Sequence, residues 1–240
     1  RIEGLFTRIE RWVRVGAPSD MFWRTLSKDN ITTWYGKTAE SRITDPNDSQ
    51  RIFQWLICET HDDKGNVVTY HYQQDDAAGV VTTSVEESNC TVAQRTANRY
   101  LDRIRYGNLK PYLPKLAETG TTWPGPNDVP GQQWMFEVVF DYSAPGGVAT
   151  PTNADVETRA WFVRADPFST HRAGFEVRTY RLCRRVLMFH HFEELGTAAC
   201  LVRSTDFDYA QQPALKNPEK PGYTTLQSVT QRAYQKRDLA

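Results

Sequence analysis

The sequence predicts a mainly β protein, antiparallel sheets of hairpins and meanders in a shell-like or sandwich-like arrangement, with few short helices. Three observations carry this expectation. Apolar side chains recur with a period of two, clearest at Trp134, Phe136, Val138, Phe140 and Tyr142, the spacing that lines one face of a strand. Clusters of Gly, Pro, Asp and Asn separate the apolar runs, as turn chemistry demands. Helical signals are confined to Cys90–Asn98 and Pro111–Glu118, each long enough for about two turns.

Taken in order, Ile9–Val15, Met21–Leu26 and Ile31–Tyr35 give three short strands, broken at Gly16-Ala17-Pro18 and at Lys28-Asp29-Asn30, which suggests a meander. Between Ile52 and Tyr72, FQWLICE faces VVTYHY across His61-Asp62-Asp63-Lys64-Gly65-Asn66, a hairpin whose turn residues tolerate positive φ. Residues 118–131 and 143–153 are rich in Pro and Gly and read as exposed loops. The first divides the chain into halves without dividing it into domains, since the strand from Trp134 can join the same sheet. That strand is expected to be half-buried, with Trp134, Phe136, Val138, Phe140 and Tyr142 on one face and Glu137 and Asp141 on the other. Gly174–Phe192 is too long for one ordinary strand and reads as one long bent strand or two in sequence.

Composition narrows the function. Of 240 residues 39% are apolar and 12% aromatic, enough bulky side chain to offset the entropy of ordering a globular chain. Twenty-nine basic and twenty-nine acidic residues cancel, removing the field that draws proteins to nucleic acid or an anionic membrane. No run approaches the roughly 20 apolar residues of a membrane helix. The N-terminus lacks a signal peptide's apolar run, and the chain, which does not start with Met, reads as a piece of something longer. Cys58, Cys90, Cys183 and Cys200 are widely spaced without a C-x-x-C pair, so free buried thiols are expected.

Candidate chemistry is sparse. Glu86-Glu87 and Glu193-Glu194 are adjacent and would point to opposite faces of a strand, and Asp62-Asp63 sits where Asp shapes turns. His61, His71, His171, His190 and His191 do not complete a zinc set, although Cys183 and His191 could share a face. Arg172, Arg178, Arg181, Arg184 and Arg185, interleaved with Phe175, Tyr180 and Phe189, could form a basic aromatic nucleic-acid face. Cross-strand ion pairs explain them more simply. There is no G-x-S-x-G elbow, P-loop or G-x-G-x-x-G. No catalytic, cofactor-binding or metal-binding residue is expected.

Two segments, DDKGNVVTYHY (62–72) and RYLDRIRYGN (99–108), together resemble one unit of the YD or Rhs repeat, in which stacked hairpins share a continuous core. Further segments, namely RIERW (8–12), SKDNITTWYGK (27–37), RIFQWLICE (51–59), DDKGN (62–66), NRYLDRIRYGN (98–108), WMFEVVFDY (134–142), RADPFSTHRAGFEVRTYRLCRRVLMFHHF (164–192), LVRSTDFDY (201–209) and SVTQRAY (228–234), resemble one family in the same order. It is the N-terminal domain of the Salmonella virulence plasmid B protein, shared with the B component of bacterial insecticidal toxin complexes.

The resemblance implies a structural module of a very large secreted toxin, assembled in the bacterial cytoplasm before export. Its partners would be the rest of the same polypeptide, the C component, the pore-forming A component and an enclosed toxic polypeptide, with no nucleic acid and no direct membrane insertion. The Salmonella protein also has a C-terminal domain resembling an actin-directed ADP-ribosyltransferase. The S-T-S strand and E-x-E or Q-x-E pair of such enzymes are absent here, Arg203-Ser204-Thr205 being followed by Asp206, so the resemblance implies no enzyme. The Gly-rich part that precedes RIEGLF in the family is also absent, which bears on independent folding. Two other readings make distinct demands. A self-contained β-sandwich binding module would expose Trp123, Trp134 or Trp161 as a ligand platform. A hydrolase or transferase would bring His190, His191, Glu193 and Glu194, or Asp62 and Asp63, into one cleft.

Overall fold

In the computed structural model the described residues are 6–114, 126–144, 150–152, 156, 159–196, 199–211 and 223–235. Among the described residues fourteen strands run along the chain, with one complete α-helical turn, α1 (Val92–Arg95), and four short 3-10 turns between them. Strands β1 (Arg8–Arg14), β2 (Ala17–Leu26), β3 (Thr32–Tyr35), β6 (Ile57–His61), β7 (Val67–Gln74), β8 (Arg99–Asn108), β9 (Trp134–Asp141), β12 (Arg185–His190), β13 (Cys200–Gln211) and β14 (Thr224–Ala233) form one ten-stranded sheet in that order. Two ribbons stand apart from it, β4 (Arg42–Asp45) with β5 (Asp48–Trp55) and β10 (Val163–Thr170) with β11 (Val177–Arg181). A sandwich of two comparable sheets is not formed among the described residues.

Every neighbouring pair in the large sheet is antiparallel, so alternate connections fall at alternate ends of the sheet. Both ribbons interrupt the meander at the same end, one between β3 and β6, the other between β9 and β12. The connection 75–98, between β7 and β8, leaves that end too. The three pack together: Ile43 and Phe53 of the first ribbon meet Phe175 and Val177 of the second, with Ala97 from the third connection. Phe53 and Phe175 touch edge to face at 6.3 Å, a favoured aromatic geometry.

Two further apolar clusters lie on the sheet itself. Phe22, Trp34 and Cys58 pack with Trp12 and Trp55, and Val139, Leu187 and Phe189 pack under Val156. Trp34 is fully buried, which stabilises the fold by roughly 2–3 kcal/mol at the usual area coefficient. Close packing fixes the backbone at Gly107, where φ is +69° and an added Cβ would lie 2.6 Å from the Phe136 ring.

The mainly β, antiparallel expectation holds, and the first three strands form the expected meander. Several details differ. Phe53–Trp55 belongs to the ribbon strand β5, so the hairpin closes between β6 and β7 instead. Leu56 donates its amide to Ser41 and accepts from Gly36, which breaks FQWLICE in two. Cys90–Asn98 yields one helical turn, because Thr91 and Gln94 cap each other reciprocally and the helix stops at Thr96. Residues 111–114 are irregular; the amide of Tyr112 is held by the carbonyl of Gly65. The remainder of that expected helix lies outside the described residues.

Gly174–Phe192 is two strands in different sheets, β11 and β12. Most of the 118–131 and 143–153 loops lies outside the described residues, yet Pro126, Ser143 and Pro151 are buried, so neither loop is wholly exposed. The largest difference concerns β9, whose carboxylate face is the more deeply buried, although Tyr142 just beyond it on the aromatic face is buried too. Glu137, Val139 and Asp141 are 1%, 0% and 1% exposed, whereas Trp134, Phe136, Val138 and Phe140 are half-buried. The neighbours explain this: Arg105 stands opposite Glu137 and Arg185 opposite Asp141, and a paired carboxylate can be buried where a lone one cannot.

Candidate functional site: a charged face between two open edges

The register places one row of directly opposed residues on a single face across eight strands. It runs Glu10, Arg24, Trp34, Glu59, Thr69, Arg105, Glu137, Phe189. Glu10 accepts from Arg24 at 2.8 Å and from Trp12 at 2.9 Å. The Arg24 guanidinium lies over Trp12 and Trp34, 4.7 and 5.4 Å from the ring centres. On the other side of Trp34, Lys37 sits 5.3 Å from the ring and donates to Glu59 at 3.0 Å. Glu59 also contacts Nδ1 of His61 at 3.1 Å.

Towards the middle of the sheet Arg103 and Arg105 both donate to Oε1 of Glu137 at 2.9 Å. Nε2 of His191 lies 3.4 Å from Oε2 of the same carboxylate. Four residues further along β9, Asp141 accepts from Nε of Arg185 at 2.8 Å, and on β13 Asp206 contacts Arg232 at 2.6 Å. Burial alone would raise the pKa values of Glu59, Glu137 and Asp141. The cationic and hydrogen-bonding neighbours outweigh it, and all three carboxyls are held below their ordinary values. Carboxylates held ionised in this way are poor general acids and, engaged by cations, poor bases.

A second polar centre ties the connection 75–98 to β11. Glu87 accepts from Arg95 at 2.9 Å, Arg178 at 2.8 Å and the Tyr180 hydroxyl at 2.7 Å. Arg181 donates to Asp75 at 2.7 Å and to Asp76 at 2.9 Å.

Most residues weighed in the sequence have a place in this frame. Glu86-Glu87 and Glu193-Glu194 lie in 3-10 turns rather than strands. Asp62 accepts from the amides of Lys64 and Asn66, shaping the turn, and Asp63 accepts from Asn30. His190 packs against Phe136 and Phe192 while His191 faces Glu137, so the neighbours do separate. Cys183 donates to the carbonyl of Arg185 and does not join His191. Among the described residues no group of three His, Cys, Asp or Glu side chains could hold a metal.

The four thiols are free, with Cys58 buried and the other three half-buried. Burial pushes Cys90 up to about 11 and Cys183 up to about 12, far from nucleophilic readiness. Of the arginine cluster, Arg185 makes the expected cross-strand pair. Arg178 and Arg181 pair instead with carboxylates of the connection 75–98, and Arg184 lies over Phe162. Trp161 is packed against Tyr100 and Tyr142, Trp134 is half-buried and bonded to Asn127, and Trp123 lies outside the described residues.

The charged row itself was not legible in the sequence, because Glu10, Arg24, Glu59 and Arg105 come together only once the register is known. At both of its edges the sheet is open. Neither β1 nor β14 has an outer neighbour among the described residues, and every residue of β14 except Thr224 is exposed.

Comparison with known proteins agrees with this architecture. Residues 1–192 match the family described as the Salmonella virulence plasmid 65kDa B protein. The mono(ADP-ribosyl)transferase SpvB of Salmonella typhimurium is 36% identical over 216 residues, 90% of this chain but 34% of that protein. The chain thus spans about a third of the length of the curated relatives it matches. The structure of the N-terminal domain of effector protein SpvB superposes with a TM-score of 0.80 at 34% identity, over 98% of this chain and 68% of that one. A crystal structure of TcdB2-TccC3 gives 0.74 at 30% identity, over 96% of this chain and 10% of that one. The Tc holotoxin pore of Photorhabdus luminescens gives 0.72 at 31%, over 94% and 10%. With residues 1–192 matched by the family and 90% of the chain aligned to a relative at 36% identity, the chain belongs to the Salmonella virulence plasmid 65kDa B protein family and is a toxin-related module of it.

Proposed function

We propose that this chain is a non-catalytic structural module of a secreted bacterial virulence or insecticidal toxin, contributing a strip of wall to a β-sheet shell that encloses a toxic polypeptide and helps to deliver it. Its partners are the remainder of its own polypeptide, the C component, the pore-forming A component and the enclosed polypeptide. The shell is assembled in the bacterial cytoplasm before export. The observation that carries this reading is the wide sheet left open, among the described residues, at both β1 and β14, since an uncovered edge is a template for further pairing. The toxin-complex relatives, in which the counterpart of this chain is a tenth of a much longer one, support it. The inward packing of Trp161 weighs against a carbohydrate-binding platform.

The test compares the isolated 240 residues with the same chain extended by its natural flanks. Noncooperative melting and strong binding of a hydrophobic dye, both abolished by the flanks, are expected. A lone chain that melts cooperatively and leaves the dye dark would sink the shell reading in favour of a self-contained binding module.

A further inference from the structure

A cavity of about 290 Å³ lies over the middle of the charged row, away from both open edges of the sheet. Its floor is sheet. His71 of β7 stands directly opposite Arg103 of β8, which stands opposite Val139 of β9, and Arg105, two residues on, shares their face. Its roof is the stretch that carries Val156, Arg159 and Trp161. Val156 packs on Val139 and Leu187, and Trp161 on Tyr100 and Tyr142, so apolar contacts hold the roof in place on either side of Arg159.

Two observations give this space its chemistry. The Arg159 side chain is only 17% exposed, yet the contacts of its guanidinium among the described residues are long: Nη1 lies 3.5 Å from the Ser143 hydroxyl and 3.6 Å from Asp141. Asp141 has a closer partner in Arg185, at 2.8 Å. A guanidinium offers five donors, and one so enclosed is stabilised by a further acceptor. Across the cavity, His71 reports the local field. Burial is the largest cause of its lowered pKa, followed by Arg105 and Arg103, and Glu137 acts less strongly in the opposite sense. An anion is therefore favoured between floor and roof.

We propose that this cavity binds inorganic phosphate, held between Arg103 and Arg105 in the floor and Arg159 in the roof. The site goes beyond the wall-forming role above and does not depend on it. A tetrahedral oxyanion suits guanidiniums that approach from two layers, because its oxygens diverge in three dimensions, whereas those of a carboxylate lie in one plane. Asp102, the residue of β8 that the register skips beside His71, also lines the cavity. Its carboxylate repels an anion without a proton, such as sulfate, and accepts from the proton that inorganic phosphate keeps at neutral pH.

Calorimetric titration of the full-length natural protein at neutral pH tests this, with inorganic phosphate, sulfate and glycerol 3-phosphate as probes. Phosphate should saturate one site and bind about 10-fold or more tightly than sulfate. Arg159→Gln should weaken phosphate binding by about 10-fold or more without moving the urea midpoint, and Arg159→Lys, which keeps the charge but loses the fork, should fall between the two. Asp102→Asn should remove the preference for phosphate over sulfate. No saturable site, equal affinities for phosphate and sulfate in the unaltered protein, or an Arg159→Gln variant that binds phosphate unchanged would overturn the proposal. Tighter binding of glycerol 3-phosphate than of inorganic phosphate would overturn the free ion as the ligand.

Discussion

Glu137 and Glu87 are both buried carboxylates held by two arginines, but they are assembled in different ways. Glu137 sits in regular sheet, opposite Arg105 in the ladder, so the geometry that pairs the strands also pairs the charges. Glu87 sits in a 3-10 turn, and its partner Arg178 lies 91 residues away in a ribbon that is not part of the large sheet. The first ion pair is a by-product of register. The second is itself a fastening, joining elements that share few backbone hydrogen bonds. Equal chemistry should therefore have unequal reach: damage at Glu137 propagates through the sheet, while damage at Glu87 stays with the ribbons.

The sharpest way to break this contrast is Glu137→Leu. It takes the Glu137 carboxylate from buried Arg103 and half-buried Arg105, and the expected loss is about 3–5 kcal/mol, read as a lowered urea midpoint with the whole sheet unfolding earlier. A midpoint within error of the unaltered protein would show that the arginines find other partners and that Glu137 does not organise the sheet.

Next in size is Glu87→Gln, which removes the charge that Arg95 and Arg178 share; about 1–3 kcal/mol is expected. Hydrogen exchange should accelerate in residues 75–98 and in β10 and β11, leaving β9 and β12 at their original rates. Uniform acceleration across the large sheet would erase the distinction between the two centres.

These two sites also show how far the sequence could be read. The alternation in Trp134–Tyr142 was sufficient to find the strand and sort its two faces, yet not to show that the carboxylate face is the more deeply buried, since hydropathy scores Glu137 and Asp141 as polar whatever stands opposite them. Partners such as Arg103 and Arg105 lie more than 30 residues away, and their position depends on a register that local periodicity does not contain. Glu87 and Arg178 were harder still, because neither lies in a repeating pattern that spans both. The turns were the most legible elements. Asp62 to Asn66 folds through bonds among its own residues, and chemistry closed within five positions can be read locally.

The smallest expected effect is a pH dependence that separates histidine from carboxylate. Burial, with Arg105 and Arg103 nearby, holds His71 below its ordinary 6.5, so the folded chain refuses a proton that the unfolded chain accepts. Stability contributed by neutral His71 is complete above pH 6.5 and declines as pH falls through the folded value. Glu137 and Glu87, held below 4.5, contribute fully above that pH and lose their contribution as it falls through their folded values. His71→Gln should flatten the urea midpoint just below pH 6.5 and leave the more acidic decline intact. An unchanged slope in the upper window would rule His71 out as its source.

The strict neighbour order of the large sheet also bears on how the chain acquires its shape in time. Contacts between consecutive hairpin strands close short loops, and short loops close fast. As the chain leaves the ribosome, β1 to β3 can pair as soon as they emerge, and β6 with β7 soon afterwards. Four joints must wait: β3 can meet β6 only once residues 36–56 are made, β7 can meet β8 only after 75–98, β8 can meet β9 only after 109–133, and β9 can meet β12 only after the far longer stretch 142–184. During the last delay β9 presents a bare edge beside the half-buried Phe136, Val138 and Phe140. That interval is the point in synthesis at which this chain most needs a chaperone.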